Sequence, residues 1–100
     1  ERWLREEQAL YTHREAFLVQ LFFASSLPDE VILQHIESQI AGHQARLEAY
    51  QQIDMPPSDD VLRQRQQQFW QMTLDLGIDL EETYLRWLKE CKQKLKELRR

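Results

Sequence analysis

The feature that most narrows the fold is the stretch from Pro28 to about Ile53, which contains no further proline and a single glycine, Gly42. It predicts one helix of about 26 residues, roughly 39 Å long at the α-helical rise. Its apolar positions are ordered. Leu33, Ile36, Ile40, His43, Leu47 and Tyr50 follow steps of 3, 4, 3, 4 and 3, the spacing that keeps a narrow seam turned toward a second long helix. Such a helix needs a long partner, and the rest of the chain has to supply it or a second copy must.

The flanking punctuation fixes both ends. In SSLPDE, Pro28 disfavours helix in Leu27 and suits a first helical turn, where Asp29 and Glu30 complement the positive end of the dipole. In DMPPSDD, Pro56 and Pro57 stop the long helix, and Ser58, Asp59 and Asp60 open the next. That helix is expected to run to about Leu76, with Leu62, Phe69, Met72 and Leu76 on its buried face and Gly77 just past its end. Asp79 and Glu82 then form a capping-box variant for a last helix. Its buried stripe is Leu80, Tyr84, Trp87, Leu88, Cys91, Leu95 and Leu98. Two further helices are expected upstream, over about residues 1–9 and from about Tyr11 to Ser25. The expected fold is all-α, with four to five helices in a long hairpin, packed as a dimeric bundle in the manner of a coiled coil.

Composition supports a helical domain. Two glycines and three prolines in 100 residues leave little turn material. The run REAFLVQLFF at 14–23 is apolar nearly all round, yet far shorter than the roughly 20 residues of a membrane span. It reads as a helix covered on several sides, and no membrane role is expected. A net charge of −4 opposes nonspecific attraction to nucleic acid. Cys91 is alone, so no disulfide forms within the chain, and a reducing, cytoplasmic setting is expected. The opening ERWLREEQ carries no helix cap, so residues 1–9 read as the end of a helix leading in from a preceding segment, with residues 10–100 as the domain itself.

Little in the sequence suggests chemistry. His35 and His43 lie eight apart, not at the i, i+4 spacing of a zinc helix, and His13 sits on another helix. No catalytic residue, metal site or cofactor is expected. Acidic pairs such as Glu81–Glu82 fall in expected first turns, where the helix dipole accounts for them. The basic tail KECKQKLKELRR is the favourable end of a helix for cations. His43 stands out as a polar group on an apolar seam, suited to fixing register or responding to pH. Among the aromatic residues, Trp70 is the foremost pocket candidate, because Phe69 is expected on the core side. Tyr84 and Trp87 complete a candidate pocket for a small aromatic effector.

REAFLVQLFF at 14–23, LPDE at 27–30 and LDLGIDLEETYLRWL at 74–88, in that order, resemble the C-terminal domain of PadR-like transcriptional regulators, also called the virulence activator alpha C-terminal domain. Arg14, Phe17, Leu18, Leu21 and Phe22 match the signature of its first helix, and Gly77, Trp87 and Leu88 its final motif. The resemblance implies a homodimerisation and effector-responsive domain, with operator DNA contacted only through an N-terminal winged helix-turn-helix that this chain lacks. The expected dimer interface is Phe17, Leu21, Phe22, Leu33, Ile36, Ile40, His43, Leu47 and Tyr50. The alternative is a free-standing helical module that holds another protein's amphipathic helix on the same seam.

Overall fold

The computed structural model describes residues 2–10 and 15–98. Among them the chain is all-α, and its elements are α1 (Arg2–Arg5), α2 (Ala16–Phe22), a single 3-10 turn (Ala24–Ser26), α3 (Asp29–Gln51) and α4 (Val61–Leu98).

The helix expected over residues 1–9 ends at Arg5. It buries no residue, and an isolated helix of one turn has no packing to offset the cost of nucleation. The helix expected from Tyr11 to Ser25 is shorter too. Glu15 has extended backbone at its N-cap, so α2 starts at Ala16, while Tyr11 to Arg14 lie outside the described residues.

Pro28 caps α3 from just outside, with Asp29 and Glu30 in the first turn as expected. The cap of α4 is built from side chains: Ser58 Oγ accepts from the Asp60 N–H at 3.1 Å. Asp60 Oδ1 in turn accepts from the Leu62 N–H at 3.0 Å, satisfying a donor that the helix start leaves open.

The expected break at Gly77 does not occur. α4 is one helix of 38 residues, about 57 Å long at the α-helical rise. A glycine that ends a helix does so at positive φ, and no glycine of the chain has positive φ. An interior glycine costs only about 1 kcal/mol relative to alanine, which packing on both sides of it outweighs. Asp79 and Glu82 therefore sit in mid-helix, not in a capping box.

α3 runs antiparallel to α4. Glu37 pairs with Lys92 at 3.3 Å, His43 meets Glu81, and Tyr50 lies against Gly77. α3 is thus matched to the part of α4 from Gly77 onward. Phe17 of α2 completes the core with Ile36, Leu88 and Leu95, and Leu18, Leu21, Ile32, Leu33, Ile40, Trp87 and Cys91 pack around it. The N-terminal half of α4 projects past the end of α3, touched there by the 52–60 loop. Gln64 and Gln67 hold that loop by donating from their side-chain amides to the carbonyls of Ser58 at 2.6 Å and Pro56 at 2.8 Å.

The outcome is elongated, 60 × 30 × 16 Å with a radius of gyration of 18.8 Å, where a compact domain of this length has about 13 Å. Accessible surface is 8670 Å², against about 6,100 Å² for a compact monomer of this mass. Leu62, Phe69, Met72 and Leu76, expected in the core, are 64%, 50%, 63% and 59% exposed. They do share one face of α4, but α3 packs on the adjoining one.

Candidate functional site

Where α4 passes the end of α3, it encloses a cleft of about 630 Å³. Tyr50 and Ile53 come from the end of α3 and its exit. Met55 and Pro56 come from the loop, and Trp70, Leu74, Leu76, Gly77 and Leu80 from α4. Asp54 and Arg63 contribute opposite charges to the lining. The Arg63 guanidinium lies 5.0 Å from the centre of the Trp70 ring, within cation–π range. Size and lining are those of a small-molecule site.

Tyr50, Gly77 and Leu80 are shared with a second, more polar cavity of about 390 Å³ lined also by Glu15, His43, Arg46, Glu81 and Tyr84. Here α4 carries Glu81, only 4% exposed, beside His43 at 8%. His43 Nδ1 lies 2.5 Å from one Glu81 oxygen, and Arg46 donates to the other at 3.2 Å. A buried carboxylate is tolerated when it is paired and hydrogen-bonded in this way. The His43 ring stacks on Tyr84 with centroids 4.5 Å apart and planes 7° from parallel. Tyr84 donates its hydroxyl to Glu15 at 2.8 Å, tying the start of α2 to α4. Burial, then the bond to Glu15 and the negative charges of Glu15 and Glu81, push the Tyr84 phenol up to about 12. Burial also pushes the Cys91 thiol up, with opposing influences from Lys94 and Glu90.

The three expected pocket residues are separated. Trp70 lines the cleft, Tyr84 belongs to the polar cluster, and Trp87 packs edge-on against Phe17 at 6.2 Å and Tyr84 at 6.3 Å in the core. Phe69, expected on the core side, is not in the core, and Trp70 lies off the core as well, at 46% exposure. Trp70 shares the cleft face with Leu74 and Gly77, while Phe69 is half exposed on the open face. Of the expected interface residues, Phe17, Ile36, His43 and Leu47 are buried within the chain, and Leu21, Leu33, Ile40 and Tyr50 are half-buried. Phe22 is 81% exposed and packs edge-on with the exposed Phe23.

Glu81 is the residue that sequence reasoning misses, because Gly77 followed by Asp79 and Glu82 reads locally as a helix start. The signal was present: Gly77, Glu81, Leu85 and Leu88 are spaced by 4, 4 and 3, which puts Glu81 on a buried face. Among the described residues no group of three or more His, Cys, Asp or Glu is placed to hold a metal ion, and no helix is long and apolar enough to cross a membrane.

The chain is thus a helical hairpin with an apolar cleft at one end and an exposed apolar stripe along the overhang of α4. The model of the virulence activator alpha C-term family matches residues 13–96, and the chain belongs to that family, whose members are regulatory domains of transcriptional activators rather than enzymes. Comparison with curated proteins and with solved structures returned no match.

Proposed function

We propose that this chain is the homodimerisation and effector-response domain of a PadR-like, DNA-binding transcriptional regulator of the cytoplasm. On this reading residues 1–9 lead in from an N-terminal winged helix-turn-helix, and that domain alone contacts the operator. Paired C-terminal domains set the distance between two DNA readers, and half-site spacing must match it. A small aromatic effector in the cleft would change operator affinity by favouring one pose of the pair.

One observation carries the reading: the open stripe of Leu62, Phe69, Met72 and Leu76 along the projecting half of α4. The chain exposes about 2,500 Å² more than a compact monomer of its mass, and a standard interface takes only about 800 Å² from each partner. Phe17, Ile36, His43 and Leu47 are already covered by their own chain. The surfaces left for a second copy are therefore the α4 stripe and the Phe22–Phe23 pair, with the half-buried Leu21, Leu33, Ile40 and Tyr50 at their margins.

Light scattering on the purified chain tests this. The expected mass is twice 12.2 kDa, falling to the single-chain value in the Phe69→Asp/Met72→Asp variant. Helix content should be unchanged, since both side chains are exposed in the single chain. A wild-type chain that is monomeric, or a variant that keeps the dimer mass, refutes the assignment. The first of these outcomes would move the function to a module that captures another protein's helix.

A further inference from the structure

α2 has two states open to it. It has seven residues, of which only Phe17 is buried, and so short a helix does not persist alone in water because it cannot offset the cost of nucleation. α2 is therefore either docked, with Phe17 in the core beside Ile36, Leu88 and Leu95, or undocked and unwound. It is also the first described element with a buried side chain, since α1 has none. Its docking anchors the segment upstream to the hairpin.

The residue at the start of α2 is committed to a distant partner. Glu15 stands at the N-cap, yet its side chain makes no hydrogen bond to its own helix, where it could satisfy one of the open N–H groups. It accepts instead from the Tyr84 hydroxyl at 2.8 Å, 69 positions along the chain. Tyr84 is itself held in place from α3. Its ring lies flat on His43, with centroids 4.5 Å apart. His43 is fixed by Glu81 at 2.5 Å, and Arg46 engages the other Glu81 oxygen at 3.2 Å. A buried polar cluster of this kind adds little net stability over apolar packing, which suits a positional role. The hydroxyl that meets Glu15 is thus placed by the contact between α3 and α4 at a single point.

We propose that the Glu15–Tyr84 hydrogen bond is a latch that docks α2 on the hairpin, with the His43 ring as the platform that holds the latch in position. Tyr84 closes it, and His43 is a positioning residue, kept flat under Tyr84 by Glu81. Docking of α2 is in this way made conditional on the fit of α3 against α4, so a change in that fit is passed to the upstream segment. The latch needs neither a ligand nor a second copy. Its failure would leave the dimer and effector reading as it stands.

Hydrogen exchange in the full chain, followed amide by amide by NMR at neutral pH and one protein concentration, tests this. The reporters are the Val19 and Phe23 amides, which donate to the Glu15 and Val19 carbonyls at 3.3 Å each. Tyr84→Phe keeps the ring and its stack, and is expected to speed exchange at both reporters about ten-fold, with exchange in α3 and α4 changed less than about two-fold. Glu15→Ala should do the same from the other side of the bond. Glu15→Gln, which keeps a carbonyl acceptor, should return both to within about three-fold of the wild type. His43→Ala and His43→Phe both lose the bond to Glu81, but only the first removes the stacking surface. The reporters should therefore exchange about three- to ten-fold faster in His43→Ala than in His43→Phe. Wild-type exchange at Val19 and Phe23 in either Tyr84→Phe or Glu15→Ala would overturn the inference. So would equal acceleration of all three helices in Tyr84→Phe, the mark of a general loss of stability, or equal reporter exchange in the two His43 variants.

Discussion

Replacing His43 with phenylalanine is expected to destabilise the chain by about 2 kcal/mol, and the structure explains why the cost should be neither smaller nor much larger. The substitution retains a flat ring against Tyr84, so the stacking at 4.5 Å survives, but it deletes the nitrogen that meets Glu81. A hydrogen bond to a charged group contributes about 1.5–3 kcal/mol. Glu81 is not orphaned, because Arg46 still reaches it at 3.2 Å, and the full cost of about 3–5 kcal/mol for breaking a buried pair is avoided. Glu81→Leu should cost about 1.5 kcal/mol, since it leaves the buried imidazole nitrogen without an acceptor. Arg46, with a side chain 59% exposed, then returns to water at little cost.

The double variant is the decisive member of the set. With both polar partners replaced by apolar groups of similar shape, nothing buried is left unsatisfied, and stability should return to within about 1 kcal/mol of the wild type. The coupling energy is then about 3 kcal/mol. The assay is urea unfolding followed by circular dichroism at neutral pH and one fixed protein concentration, because association adds to apparent stability. Single variants within about 0.5 kcal/mol of the wild type, or a double variant as unstable as the two singles summed, would refute the reasoning.

The remaining predictions use the same preparations. Ile36 is 1% exposed and part of the core shared by α2, α3 and α4, so Ile36→Ala should cost about 2–4 kcal/mol in the same unfolding assay. A cost under about 1 kcal/mol would mean that the core is not packed as described. The Tyr84 phenol, held at about 12, loses its proton later in the folded chain than in the unfolded one. The stability tied to it is therefore full below the ordinary value of 10.0 and is lost as pH rises toward 12. Ultraviolet titration of phenolate should show a late step that is missing in Tyr84→Phe, and a late step surviving in that variant would exclude the assignment.

The ends of α3 were legible because local chemistry sets them. Pro28 and the Pro56–Pro57 pair act within a residue or two of themselves, and the helix they bracket runs from Asp29 to Gln51. The seam was legible as well: Ile36, His43 and Leu47 are all buried, and a spacing of three and four is a property of the helix alone. The break expected at Gly77 does not form, for a related reason. Glycine followed by a D-x-x-E pattern is a local signal, and it competes with a longer one. Trp70, Leu74, Gly77, Glu81, Leu85 and Leu88 are spaced by 4, 3, 4, 4 and 3, a single stripe that crosses the glycine without a phase shift. Reading the stripe across the glycine, not up to it, gives one helix and puts Glu81 opposite His43.

Periodicity establishes which residues share a face and is silent on what covers that face, which is where the two apolar faces of α4 were confused. Leu62, Phe69, Met72 and Leu76 form as regular a row as the stripe through Trp70 and Leu88, yet α3 ends level with Gly77 and cannot reach them. The cleft arises from the same mismatch of lengths. A helix of 38 residues against one of 23 leaves an overhang, and the 52–60 loop folding back along it covers the overhang on one side only. The cleft and the open stripe are therefore two sides of the same turns of α4, with Leu76 and Leu80 lining the former and Leu76 belonging to the latter. Two surfaces that share a residue and a backbone cannot be energetically independent if either moves when occupied. Whatever free energy a ligand in the cleft contributes to one arrangement of the stripe, the arrangement returns to the ligand in equal measure.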